Sequence, residues 1–106
     1  MKILIDADGC PVVDLTLQAA AEHGLEAILF CDTSHEFKEK NARVVTVDKG
    51  SDSADFALIR QVKPGDIVVT QDYGLAAMVL AKRGYPITQN GKRLTDANID
   101  TLLLTR

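Results

Sequence analysis

The sequence of 106 residues is poor in several residue types that mark specialised protein classes. Tryptophan is absent and aromatic residues make up only 5% of the chain, so composition leaves the mode of any substrate capture open. The two cysteines, Cys10 and Cys31, form no CxxC spacing and no paired zinc-ligand pattern with the histidines. They therefore predict neither a zinc site nor a disulfide framework, and they favour an intracellular, cytoplasmic protein.

Positive charge is also scarce, because 12 Lys and Arg residues stand against 15 Asp and Glu residues, for a net charge of −3. No overall basic field predicts nucleic-acid binding, although a local basic patch is compatible with this balance. No hydrophobic run approaches the length that spans a bilayer. The first apolar run is broken by an acid at position 6, which is not a signal-peptide pattern. We therefore expect no membrane partner.

What is present is an ordinary globular composition, with 46% hydrophobic and 25% charged residues. Strands are predicted at residues 3–5, 26–31, 43–47, 67–70 and 86–88, and helices at 12–23, 52–62, 75–83 and from 95 or 96 to about 104. Because strands alternate with crossover helices, we predict one domain over residues 1–106 of α/β class. It should have three layers, with a mainly parallel five-stranded sheet and helices on both faces. The chain stops close to the last predicted helix, which leaves open a missing C-terminal tail.

Carboxylates follow the predicted strands or begin the next helices at three separate places. Asp6 and Asp8 end the first apolar run, Asp52 and Asp55 begin the mid-chain helix, and Asp72 follows the strand at 67–70. The carboxyl ends of strands are where ligands bind in open α/β sheets. If the first and fourth strands are neighbours, their ends lie about 5 Å apart. Oxygen ligands in such a cluster suit Mg²⁺ or Mn²⁺.

Each of these residues also has a plainer interpretation, and the sequence leaves both open. Asp8, Asp52 and Asp72 are suited to capping the helices that follow them. Three hydroxyl residues near the acids could either bind substrate phosphates or satisfy turns: Ser51, Ser53 and Thr70. The ring of Tyr73 could either stack on a base or pack in the protein. The basic pairs at 82–83 and 92–93 are interpreted as a solvated face or as phosphate contacts.

Three ordered segments, ILIDADGCPV, KGSDSADFALI and DIVVTQDYGLAAMVLAKRG, resemble the YaiI/YqxD family of small bacterial proteins, which is itself similar to the PIN-like and NYN-like nucleases. The resemblance runs over nearly the whole chain and implies a PIN-like fold with a metal-dependent, RNase-like site. Asp6 matches the acid after the first strand of the PIN-like pattern. Asp52 or Asp55 matches the acids of a mid-chain helix, and Asp72 matches the acid of a Thr-x-Asp segment after a later strand.

The favoured function is a divalent-metal-dependent nuclease, a hydrolase of phosphodiesters for which RNA is favoured over DNA as the expected substrate. Asp6, Asp55 and Asp72 would be catalytic and bind the metal, with Asp8 and Asp52 as further ligands. One alternative is a non-catalytic PIN-like module that binds RNA or protein. A second is a phosphatase of the haloacid-dehalogenase type, since Asp-x-Asp-Gly after an apolar strand also resembles its first motif. The sequence leaves a homo-oligomer open.

Overall fold

The structure, a computed structural model, describes residues 1–7, 12–32, 43–47, 53–95 and 97–99. In chain order the elements are β1 (Lys2–Asp6), α1 (Val13–Glu22), β2 (Glu26–Asp32), β3 (Arg43–Val47), α2 (Ser53–Gln61), β4 (Ile67–Val69), α3 (Tyr73–Ala81) and β5 (Tyr85–Ile87). The predicted alternation of strands and helices is therefore confirmed, with ends that agree to within two residues. Of the last predicted helix, the description covers the helical residues 97–99.

The five strands form one parallel sheet in the order β3-β2-β1-β4-β5. The chain first builds the sheet outward from β1 through β2 to β3, and then returns to the other side of β1 to add β4 and β5. This reversal makes the gap between β1 and β4 the switch point of the topology, where open α/β sheets bind their ligands. Among the described residues, an isolated antiparallel bridge joins Ile87 of β5 to Arg93.

Helices cover both faces of the sheet, which gives the three predicted layers. On one face, Val13 and Ala20 of α1 pack with Ile3 and Ile5 of β1. On the other face, side chains of α2 and α3 pack against the opposite side of the same strands, in a cluster of Leu4, Ile28, Phe30, Ala57, Leu58, Ile59, Val62, Val68, Leu75 and Val79. Adjacent residues of β1 thus face opposite helical layers, as strand geometry requires. Burial on both faces explains why the strands have continuous apolar runs.

The end of α3 has an unusual residue at its helix stop. Gly84 N donates to Val79 O at 2.9 Å and Arg83 N donates to Leu80 O at 2.9 Å, the paired bonds of a Schellman motif. The residue that turns left-handed there is Arg83, with φ of 65°, where glycine is usual. A left-handed backbone costs a non-glycine residue about 1–2 kcal/mol. Arginine is therefore held at this position against its own backbone preference.

A buried acid that the sequence did not single out joins β1 to β4 at the amino-terminal edge of the sheet. Asp66 accepts hydrogen bonds from Lys2 Nζ at 2.5 Å, from Lys2 N at 3.1 Å and from Lys63 N at 2.9 Å. Burial acts to raise the pKa of Asp66, but these bonds and the charge of Lys2 outweigh it, so the pKa lies below the ordinary 3.8. The carboxylate thus stays charged and fixes the alignment of the two strands that flank the switch point.

Candidate active site

The candidate site lies at the carboxyl edge of the sheet, where β1 and β4 end side by side. Ile5 of β1 is paired with Val69 of β4, and each strand is followed at once by polar residues. Asp6 is the last residue of β1, and Thr70 follows β4. The condition on which the predicted acid cluster depended, that the first and fourth strands are neighbours, is therefore met.

A hydroxyl group connects the two strand ends. Thr70 Oγ1 donates to Asp6 Oδ2 at 3.0 Å and accepts from Asp72 N at 3.0 Å. Thr70 itself is buried, with 2% of its surface exposed, whereas Asp6 is half-buried and Asp72 is exposed. The hydroxyl proton of Thr70 is donated to the Asp6 carboxylate, and its oxygen accepts the hydrogen bond from the backbone N–H of Asp72. Thr70 therefore fixes the position of one acid relative to the other.

Asp72 is both an N-cap and an exposed acid. Its Oδ1 accepts from Gly74 N at 2.9 Å and from Leu75 N at 3.2 Å, which caps α3. In the part of the chain that the structure describes, no hydrogen bond reaches the other oxygen, Oδ2. The helix cap anticipated from the sequence is thus present, and it leaves one carboxylate oxygen facing solvent for a ligand. A Cβ on Gly74 would lie 3.2 Å from Oδ1, so a residue without a side chain suits this cap.

Asp55 lies at the same edge but on another element. It is in the first turn of α2, and α2 runs from the carboxyl end of β3 back towards the start of β4. Among the described residues, no group of three or more His, Cys, Asp or Glu side chains is close enough to hold a metal ion. Asp6, Asp55 and Asp72 do not form such a trio by themselves. Asp8 and Asp52 lie outside the described residues, so the five-acid metal site stays a prediction.

The residues expected to contact substrate have mixed outcomes. Tyr73 is half-buried and packs against Ala76, Leu94 and Ile99 on the outer side of α3, which supplies the packing role left open above. Ser51 and the side chain of Ser53 lie outside the description. Contacts of these residues, and of the buried Thr70, with a substrate stay predictions.

The pair Asp6 and Asp72 fits part of a Mg²⁺ or Mn²⁺ site. Both offer carboxylate oxygens, the donors that these hard cations prefer, and Mg²⁺ is commonly held by one or two carboxylates with water and substrate phosphate. The Asp72 Oδ2 atom and the Asp6 carboxylate stand on adjoining strand ends that a shared threonine aligns. This donor set suits a weakly held cation that substrate phosphate completes.

Other polar contacts at the sheet edges were not foreseen from the sequence. Gln71 Oε1 accepts from Gln89 N at 3.0 Å and so ties the turn after β5 to the site. Lys82 Nζ donates to Ile59 O near the end of α2 at 2.6 Å. This exposed lysine therefore also links the end of α3 to α2. The signal that could have revealed Asp66 is an acid directly before an apolar strand, opposite a strand that begins with lysine.

Comparison with known proteins places the chain. A profile of the uncharacterised YaiI/YqxD family matches residues 4–106. The chain belongs to this family. Among its YaiI/YqxD relatives are UPF0178 proteins of Exiguobacterium sibiricum, Alkaliphilus oremlandii and Ruminiclostridium cellulolyticum, which are 56%, 50% and 52% identical to it over 106 residues. These alignments take in all of this chain and 72%, 68% and 69% of the relatives, respectively.

A solved structure shares the fold of this YaiI/YqxD protein. It is the crystal structure of a tryptophan-to-leucine mutant of Rae1 (YacP) from Bacillus subtilis. The two superpose with a TM-score of 0.59 at 15% sequence identity, over 99% of this chain and 79% of that one. Identity this low shows the fold alone. The predicted three-layer α/β fold, with a five-stranded parallel sheet and helices on both faces, is confirmed. The described residues contain no helix that is both long and apolar enough to cross a membrane.

Proposed function

We propose that this YaiI/YqxD protein is a divalent-metal-dependent nuclease that hydrolyses phosphodiesters of RNA in the cytoplasm. The observation that carries the proposal is the hydrogen-bonded chain from Asp6 through Thr70 to Asp72 at the switch point of the sheet. A surface acid needs no such alignment. A buried hydroxyl holds the Asp6 carboxylate and the backbone of Asp72 on adjoining strand ends, and two carboxylates placed there would be stabilised by a shared cation.

Each residue has a distinct part in this proposal. Asp6 and the free oxygen of Asp72 would hold the cation, with Asp55, Asp8 and Asp52 completing the site when substrate is bound. Thr70 would keep the Asp6 carboxylate turned towards the cation. A divalent cation there supplies an activated water molecule and neutralises charge on the phosphodiester. The backbone N–H groups at the start of α3 hold Asp72 in place through Oδ1.

Titration of Mn²⁺ and Mg²⁺ into metal-stripped protein by calorimetry tests the shared site. Asp6→Asn and Asp72→Asn each remove a charge and keep the size of the side chain, and an asparagine at 72 can still cap α3. Glu26→Gln is the matched control, because this exposed residue begins β2 at the opposite edge of the sheet. We expect Mn²⁺ binding to be lost in both asparagine variants and kept in Glu26→Gln.

Cleavage is measured on labelled single-stranded RNA and DNA with Mn²⁺ present. We expect RNA cleavage by the wild type that falls at least a hundredfold in Asp6→Asn and Asp72→Asn. Cation binding that is indifferent to both substitutions would reject the shared site. RNA binding without cleavage in any divalent cation would favour the non-catalytic module, an alternative that the capping role of Asp72 keeps open.

A further inference from the structure

A second charged feature lies at the opposite end of α3 from the candidate active site. Arg83 and Arg93 line one cavity of about 330 Å³, together with Tyr85, Leu94 and Thr95. Arg83 lies two residues after the end of α3, and Arg93 lies on the segment that returns beside β5. Both side chains are exposed.

The two guanidinium groups lack acidic partners in the described part of the chain. Among the described residues, the ion pair is between Lys2 and Asp66, and it involves neither arginine. Both arginines line the same cavity without a described counter-charge, so an anion that entered it would lie near two positive side chains. Repulsion between them is relieved when an anion lies between them.

Arg93 is held in a geometry that suits anion binding. Its guanidinium carbon lies 4.7 Å from the centre of the Tyr85 ring. Stacking occupies the flat face of a guanidinium and leaves its N–H groups at the edge, where they bind phosphate or carboxylate in pairs. Tyr85 is 43% exposed, so the stacked pair stands at the surface and not in the core.

Arg83 is held against the preference of its backbone. It occupies the left-handed position of the Schellman motif, where glycine is usual, and strain of this kind concentrates at functional sites. Gly84 beside it is needed for packing, because a Cβ there would lie 2.7 Å from Val79 Cγ1. The chain thus has its glycine one residue after the strained position and keeps arginine at the cavity.

We propose that Arg83 and Arg93 form a phosphate-binding site that holds the backbone of a nucleic acid away from the point of cleavage. The nine residues of α3 separate the two ends by about 14 Å, a span of a few nucleotides. The identity of the ligand as RNA rests on the function proposed above, whereas the anion site rests on the two arginines and their cavity. A phosphorylated small molecule offers the same phosphate chemistry.

Fluorescence anisotropy with labelled single-stranded RNA, in EDTA, tests the site without metal chemistry. The variants are Arg83→Gly and Arg93→Gln, with Arg43→Gln as the control that removes one exposed charge at the far edge of the sheet, on β3. We expect each cavity variant to weaken RNA binding about tenfold and to lower the slope of log K against log salt by about 0.7. Arg43→Gln should stay within twofold of the wild type.

Arg83→Gly also separates function from folding. Glycine is the usual residue at this position of a helix end. The thermal midpoint of Arg83→Gly should therefore equal or exceed that of the wild type, while its RNA binding falls. Because RNA binding is measured in EDTA and Arg43→Gln is the charge control, this test reads the arginines without the metal site, so failure of the nuclease proposal and failure of this one give different results.

Calorimetry with inorganic phosphate and with a uridine monophosphate probe identifies the source of the phosphate. Arginine-dependent binding of RNA well above that of the mononucleotide supports a backbone contact. Arginine-dependent binding of the mononucleotide alone assigns the site to a small phosphorylated ligand and rejects the nucleic-acid contact. If Arg83→Gly and Arg93→Gln bind every probe with the affinity of the wild type, the anion site itself is rejected.

Discussion

Replacement of Thr70 by valine is the most informative test of how the site is held together. Valine has nearly the same shape as threonine, but it can neither donate to Asp6 nor accept from Asp72 N. One lost bond involves a charged carboxylate and the other a backbone N–H, and Thr70 itself is only 2% exposed. We expect a loss of about 2–3 kcal/mol in the free energy of unfolding, because the polar groups left behind are poorly solvated. For a domain of this size that is a fall of roughly 10–20 °C in thermal midpoint.

The assay is thermal and urea unfolding followed by far-UV circular dichroism, since the chain has no tryptophan. Thr88→Val is the control, because Thr88 is a buried threonine at the end of the neighbouring β5 whose hydroxyl accepts from Lys92 N instead of an acid. Thr70→Ser keeps the hydroxyl and should recover most of the Mn²⁺ affinity that Thr70→Val loses. A Thr70→Val protein as stable as Thr88→Val, with unchanged Mn²⁺ binding, would refute a positioning role for this residue.

Two further predictions concern the strand alignment and packing behind the site. Asp66→Asn should destabilise the fold by about 1–3 kcal/mol at pH 7 because it weakens the contacts with Lys2. Since the pKa of Asp66 is lowered in the folded state, the stability it adds is present above about pH 4 and is lost as pH falls through the lowered folded pKa. The difference in urea stability between the wild type and Asp66→Asn should therefore shrink as the pH is lowered below about 4. Gly84→Ala should cost about 1–3 kcal/mol through its clash with Val79. Gly24→Ala, at φ of 66° in open space, should cost only the backbone strain of about 1 kcal/mol, and equal losses in the two alanine variants would contradict the packing explanation.

The local elements were predictable because their signals are local. The strand at Arg43–Val47 was placed with its observed bounds, since a β-branched run between polar segments has few alternatives. The end of α1 was indicated by Gly24, which does adopt a left-handed conformation. The capping role of Asp72 followed from its place before a helix, and the position of Asp6 at the end of β1 followed from the abrupt end of an apolar run. Such features depend on residues within a few positions of one another.

The sequence by itself therefore determined the α/β class, the order of elements and the family, and it placed acids at the ends of strands. The tertiary structure alone decided that β1 and β4 are neighbours, so that Thr70 reaches Asp6 across 64 positions of the chain. It likewise decided that Lys2 meets Asp66, and that two arginines ten residues apart share one cavity. These pairings depend on which strands adjoin and which way each crossover turns. Many sequences with the same local pattern are compatible with several strand orders, and only the packing of both faces selects one.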